Sequence, residues 1–315
     1  MTAARPARRL TAPPRRGGAG AGRLPLALAV VLAACAPAPP AGPGAAAPDA
    51  AAPPGLFGDA RALAVGGGAL WVVDGAESAV VALTPDGRVV GILGGAGTGD
   101  GALLDPTDVD PTNGQAVFVA DPGSGTVTHF TATGRAAETV AVPDVDPARA
   151  GQAVGPALRD LPRGRPTAVA AAPDGALYVV EAGRGLVLRL NAQRGVERVL
   201  GGPAAGGAAL RRPVGLAVGG DGTLYVADRG RGGVQAFDPF GAPGRFLPAP
   251  DGGPVAVGVA GDSLVVVAPR AVAVWGRGGE PRVLPWDGAA PLVDAALVGG
   301  GVVGLTRTAL VRVGG

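Results

Sequence analysis

The sequence predicts an all-β chain folded as a six-bladed β-propeller of four-stranded antiparallel blades, and three observations carry that expectation. Short apolar runs rich in Val, Leu and Ala recur from residue 56 onward, with turn residues between them. The chain has 57 glycines and 32 prolines among 315 residues, and once the first 55 residues are set aside they fall largely at regular intervals between these runs, which is the punctuation of repeated turns. An acid follows the second run of each clear copy, at Asp74, Asp121, Glu181 and Asp228, in steps of 47, 60 and 47 residues. Repeats of about 40 to 50 residues holding four strands each belong to propellers, whose blades must stack because one blade cannot bury both of its faces alone.

Residues 1–34 read as an address. An arginine-bearing lead (Arg5, Arg8, Arg9, Arg15, Arg16, Arg23) precedes the apolar run Leu24 to Ala34, which ends at Cys35. Eleven residues are too few to span a hydrocarbon core, where about 20 are needed, so the run is expected to be the apolar core of a secretory signal. Leu32-Ala33-Ala34-Cys35 resembles the bacterial lipobox, in which the cysteine thiol takes a diacylglycerol. Cys35 is also the only cysteine, so it cannot form an internal disulfide. The resemblance implies a protein held at the cell envelope, on the extracytoplasmic side of a membrane and on the outer membrane in a Gram-negative cell. Residues 35–54 are almost entirely Ala, Pro and Gly, too poor in large apolar groups to pack and stiffened by proline. They read as an extended tether.

Residues 55–315 are expected to form the propeller. The clearest copy, PVGLAVGGDGTLYVADRGRGGVQAFDPFGAPGRFL, begins at Pro213; related copies begin at Arg165 and Arg61, and less regular ones near Pro106, Pro254 and Pro291. Runs ending at Val218, Ala227, Phe237 and Leu247 are separated by pieces such as Gly219-Gly220-Asp221-Gly222, the pattern of an antiparallel meander. Strands such as Leu224-Tyr225-Val226-Ala227 are apolar on both sides, as stacking requires. The longer repeat step contains Asp144 to Gly164, expected to be a loop on one rim. The sixth copy supplies only three strands. Gly55-Leu56-Phe57-Gly58 resembles the fourth-strand endings Ile92-Leu93-Gly94 and Val199-Leu200-Gly201, so an N-terminal strand is expected to close the last blade.

The set Pro213, Gly215, Leu216, Ala217, Val218, Gly222, Leu224, Tyr225, Val226, Ala227, Asp228, Val234 and Phe237 resembles an NHL repeat. The Asn-His-Leu trio of that family is absent; the matching stretch here reads Asp228-Arg229-Gly230-Arg231-Gly232-Gly233-Val234. The resemblance implies a propeller that holds a protein or another ligand on one rim.

Charge and residue types narrow the function. All 27 basic residues are arginine, and once the first 34 residues are set aside 21 arginines face 25 acids. The mature balance is acidic, which argues against a nucleic-acid partner. Metal-dependent enzymes that resemble this family, such as the peptide-amidating lyase, use several histidines around the channel, whereas His129 is the only one here. No nucleophile-elbow sequence supports a Ser-His-Asp triad. Asp108, Asp110 and Asp294 fall in first strands, which line the channel, and could hold calcium or serve a lactonase-like site. Asp74, Asp121, Glu181 and Asp228 read as turn carboxylates that accept backbone N–H groups. Arg184, Arg229 and Arg231 occupy equivalent loops and could form an anion or partner patch. The reading is thus a non-catalytic lipoprotein with no cofactor, bound to a membrane through Cys35 and presenting a platform for an envelope protein or small ligand. Its rival is a metal-dependent hydrolase or lyase of the lactonase and strictosidine-synthase type.

Overall fold

The valine-rich second runs of the blades are buried on both faces, and Val72 and Val73 in one such run are both fully buried although they point opposite ways. The computed structural model describes residues 55–112, 114–149, 161–251, 253–276 and 279–314. Blade 1 is β1 (Ala60–Gly66), β2 (Ala69–Asp74), β3 (Ala79–Leu83) and β4 (Val89–Gly94). Blade 2 is β5 (Asp108–Asp110), β6 (Ala116–Asp121), β7 (Thr126–Thr131) and β8 (Ala136–Ala141). Blade 3 is β9 (Pro166–Ala171), β10 (Leu177–Glu181), β11 (Leu186–Leu190) and β12 (Val196–Leu200). Blade 4 is β13 (Pro213–Val218), β14 (Leu224–Asp228), β15 (Gly233–Phe237) and β16 (Pro243–Pro248). Blade 5 is β17 (Ala256–Ala260), β18 (Ser263–Ala268), β19 (Ala271–Trp275) and β20 (Pro281–Pro285). Blade 6 is β21 (Asp294–Val298), β22 (Gly301–Leu305) and β23 (Leu310–Val313).

Every blade is an antiparallel meander in chain order, four-stranded in five blades and three-stranded in the last among the described residues. The first hairpins of blades 1 and 6 turn on Gly67-Gly68 and Gly299-Gly300, all four at positive φ, where only glycine sits without strain. The first strands β1, β5, β9, β13, β17 and β21 neighbour one another in a ring, and the contact of β21 with β1 completes it.

The core is divided among the blade interfaces. Six apolar clusters fill the six gaps between neighbouring blades. Val72 belongs to the cluster shared with blade 6 and Val73 to the one shared with blade 2. The double-sided apolar strands read from the sequence are therefore the structural requirement of a closed stack.

Closure differs from expectation in one respect. Gly55–Gly58 is a turn, not a strand. Only Asp59 separates it from β1, the innermost strand, so it cannot reach the outer edge of β23, which lies two strand spacings away, at about 4.8 Å each. It lies instead on the β22–β23 turn, where the Phe57 and Ala60 amides donate to the Thr308 and Arg307 carbonyls at 3.4 and 2.7 Å. Phe57 is buried with Leu305 and Leu310. Among the described residues no fourth strand stands on β23. The signal, Cys35 and the tether lie outside them. The stem of the expected 144–164 loop is visible: the Asp144 amide donates to the Pro162 carbonyl at 2.8 Å and Gly164 to Val142 at 2.7 Å.

Candidate functional site

The six first strands surround a cavity of about 340 Å³. Its wall is mostly aliphatic and backbone, with Leu63, Val65, Val169, Val218 and Val259 among the lining residues; Asp108, Asp110 and Asp294 are its carboxylates. Pro111, Thr112, Pro173, Gly219 and Gly220 also line it. These residues follow the C-terminal ends of the inner strands, so the cavity lies toward the rim of the β1–β2-type turns.

Strand chemistry explains the acids. An innermost strand pairs on one side only, which leaves alternate N–H groups aimed into the channel. Asp108 and Asp294 both begin the first strand of their blade, and each reaches the first strand of the next blade around the ring. Asp108 accepts the Val169 N–H at 2.8 Å and Asp294 accepts that of Leu63 at 2.7 Å. Asp294 also takes the Ala295 N–H at 2.7 Å. Asp110 accepts from Ala171 and Thr112, both at 2.6 Å. By strand pairing, the residues equivalent to Asp108 in blades 1, 3, 4 and 5 are Ala62, Ala168, Gly215 and Ala256, which carry no acceptor. The channel acids are thus clamps between blades 2 and 3 and between blades 6 and 1.

Burial pushes Asp294 up to about 7, against the opposing N–H bonds from Leu63 and Ala295. It drives Asp108 well above the usual carboxylate range; the charges of Asp294 and Asp110 add to this, while the Val169 and Val109 amides oppose it. Asp110 is raised by burial as well, offset in part by Ala171 and Thr112. Asp108 and Asp110 nonetheless retain partial exposure to the cavity. Among the described residues, no group of three or more His, Cys, Asp or Glu side chains is arranged to hold a metal ion. The calcium expectation for Asp108, Asp110 and Asp294 therefore meets carboxylates that share a cavity while each bonds to backbone N–H groups.

The recurring acids have the role read for them. Asp228 accepts the N–H groups of Arg211 and Arg212 at 2.8 and 2.9 Å and those of Gly230 and Arg231 at 3.0 and 3.3 Å. Glu181 accepts from Arg165, Gly183 and Arg184 at 2.9, 3.0 and 2.8 Å. Asp121 holds Leu104 and Asp105, and Asp74 holds Gly58 and Asp59. Each acid ties the β2–β3-type turn of its blade to the loop that enters the same blade, so these loops share the rim opposite the cavity. Blades 5 and 6 have no such acid after their second strands, which end at Ala268 and Leu305. In their place Arg270 donates to the Gly288 carbonyl, and Arg307 pairs with Asp59.

Arg184, Arg229 and Arg231 do lie on one rim, with different surroundings. Arg184 forms a two-pronged pair with Asp144 at 2.7 and 3.1 Å. Arg231 donates to Gln235 at 2.9 Å and covers the Phe246 ring at 4.6 Å. Arg229 is exposed. Sequence reading missed Arg165, Arg211 and Arg212 on the same rim; the signal was the Arg-Pro step that opens blades 3 and 4, at Arg165-Pro166 and Arg212-Pro213. His129 sits in β7, stacked on Phe118 with ring centroids 4.7 Å apart and away from the cavity lining. Burial lowers its pKa, and the Arg194 charge adds to that against Glu138.

Residues 210–237 match the family model of the NHL repeat. No curated protein matches the chain. Among solved structures, the chain is similar to a catalytically inactive histidine-to-alanine variant of virginiamycin B lyase from Staphylococcus aureus with quinupristin, at TM-score 0.54 and 15% identity over 80% of this chain and 93% of that one. It is similar to a streptogramin B lyase at TM-score 0.58 and 14% identity, over 82% and 94% of the two chains. A gluconolactonase from Xanthomonas campestris gives TM-score 0.57 and 17% identity over 82% and 88%. At these identities the likeness is one of fold.

Proposed function

We propose that this chain is a non-catalytic envelope lipoprotein, anchored through Cys35, whose propeller is a binding platform for a protein or small ligand. One observation carries this reading: the channel carboxylates are engaged as clamps, each accepting backbone N–H groups, and for Asp108 and Asp294 the main donor belongs to the next blade. An acid held this way stiffens the ring and is poorly placed to leave its donors for a substrate or a cation. The remainder of the cavity wall, aliphatic side chains together with backbone polar groups, offers a small ligand both shape and hydrogen bonds. The lyase that resembles this chain is inactivated by loss of a histidine; here the single histidine lies against Phe118, outside the cavity.

A second reading rests on a different observation. Asp108 and Asp294 are carboxyl groups of raised pKa facing a cavity, in a fold shared with lyases and a gluconolactonase. Perturbed carboxyls in a cavity suit hydrolase or lyase chemistry, metal-assisted or not. Metal analysis of the full chain purified without chelator, with thermal unfolding in added calcium, separates the two. The platform reading expects no stoichiometric metal and no shift in melting temperature. A bound metal that raises the melting temperature, and is lost in Asp108→Ala, would favour the enzyme.

A further inference from the structure

The rim opposite the cavity is basic over two neighbouring blades, and its arginines are fixed by their backbone. Buried Glu181 and Asp228 accept the N–H groups of Arg165, Arg184, Arg211, Arg212 and Arg231, so two carboxylates set the positions of five arginines. The two groups adjoin: a Cβ at Gly185, in the blade 3 turn, would lie 3.7 Å from the Arg211 carbonyl. Arg163 extends the arc toward blade 2, donating to the Ser124 carbonyl at 2.9 Å. Among the described residues Arg165, Arg211, Arg212 and Arg229 are exposed and form no ion pair. On blades 1 and 6 the same rim is neutralised, because Arg61 pairs with Asp59 and Asp105, and Arg307 with Asp59. Asp144 and Asp146 flank the arc, and Asp144 is taken by Arg184.

Two further features share this rim. Leu104 and Leu161 are 57% and 37% exposed in the entry loops of blades 2 and 3. The chain also enters the propeller here, since Asp74 holds the Gly58 and Asp59 amides in the same way that Asp228 holds Arg211 and Arg212. The segment leading back to Cys35 therefore joins the fold on the arginine side.

We propose that the Arg165–Arg211–Arg212–Arg229 arc rests on the anionic headgroups of the membrane that holds the lipid anchor, turning the cavity mouth away from the bilayer. Guanidinium groups beside exposed leucines are the chemistry of a protein face that lies on an anionic lipid surface. This deepens the platform reading: its orientation depends on anchoring at Cys35, whereas its lipid affinity does not.

The test uses the full chain carrying Cys35→Ser, so that no acyl chain contributes. Binding is measured by co-sedimentation with vesicles of phosphatidylcholine alone or with about one-third phosphatidylglycerol, at low and at physiological salt. Arg165→Glu/Arg211→Glu/Arg212→Glu is compared with a control of equal charge change on exposed outer positions, Arg88→Glu/Arg245→Glu/Arg282→Glu. The signal-segment arginines are common to both and cancel, and thermal melting verifies folding. The expected result is salt-sensitive binding to the anionic vesicles alone, weakened at least tenfold by the arc variant and less than threefold by the control. Equal loss in both variants, or none in either, overturns the proposal. Arc-dependent binding to polyglutamate without vesicle binding also overturns it and assigns the arc to an acidic polypeptide. Labelled-palmitate incorporation in the producing cell tests the anchor separately. Acylation without arc-dependent vesicle binding sinks the docking surface alone; arc-dependent binding without acylation sinks the anchor and the orientation and keeps the lipid affinity.

Discussion

A carboxylate does two different things in this protein, according to what surrounds it. Asp228 is fully buried and accepts four backbone N–H groups, two from its own tight turn and two from the loop that enters the blade; of these only the Arg231 N–H has a second acceptor, the Asp228 carbonyl at 3.1 Å. Asp228→Ala strands those donors, so a loss of about 3 to 5 kcal/mol is expected in denaturant unfolding, with Asp228→Asn recovering part of it. Asp294 is placed where burial outweighs its two donors, and it stays protonated to about pH 7 in the native state. The native protein then binds more protons than the unfolded chain between the ordinary carboxylate range and pH 7. Its contribution to stability is complete below about pH 4 and is lost as pH rises through 7. Unfolding free energy should therefore fall by roughly 3 kcal/mol from this group between pH 5 and 8. Asp294→Asn should flatten that slope, with the remaining dependence in the same direction carried by Asp108. An unchanged slope in the variant would show that Asp294 ionises normally in the channel.

At the scale of the element, the inner and outer strands face opposite problems. Inner strands leave N–H groups in a cavity, which Asp108, Asp110 and Asp294 satisfy across blades. Outer strands leave an edge to solvent, and among the described residues β4 carries the most exposed large apolar side chains, with Val89, Val90 and Ile92 at 43, 54 and 64% exposure. An apolar edge of this kind invites pairing with another chain. Ile92→Lys should change stability by less than about 0.5 kcal/mol, because the side chain is already in water. It should reduce concentration-dependent association measured by light scattering. If association is unaffected, β4 is not the edge through which copies meet.

At the scale of the molecule, stability comes from closing a ring whose six cores are each shared by two blades. At the seam between blades 6 and 1 the first described residues meet blade 6, and Phe57 fills it with Leu305 and Leu310. Phe57→Ala should cost about 3 to 5 kcal/mol in unfolding free energy. The exposed Arg307–Asp59 pair on the same seam should contribute less than about 1 kcal/mol. A seam weakened by Phe57→Ala should open first, seen as early hydrogen exchange in β1 and β21 while β9 to β14 remain protected.

The sequence by itself determined the architecture, because strand patterning, turn residues and a recurring acid are local signals repeated often enough to define a blade. Asp74, Asp121, Glu181 and Asp228 were legible as turn acids for that reason: each bonds within about 17 residues of itself. The channel acids were legible as channel residues and not as clamps, since Asp108 and Val169 lie 61 positions apart and Asp294 and Leu63 lie 231 apart. Pattern reading also put Gly55–Gly58 on an outer edge that only the position of β1 ruled out. Which arginines stand exposed without an ionic partner was decided in the same way. The Arg61–Asp59 pair on the rim of blade 1 joins residues two apart in the chain, whereas only the tertiary structure brings Asp59 to Arg307, 248 positions away, while leaving Arg211 and Arg212 in water. Local periodicity fixes which backbone groups pair within a blade; contacts between blades join residues distant in the chain, and no repeat encodes them.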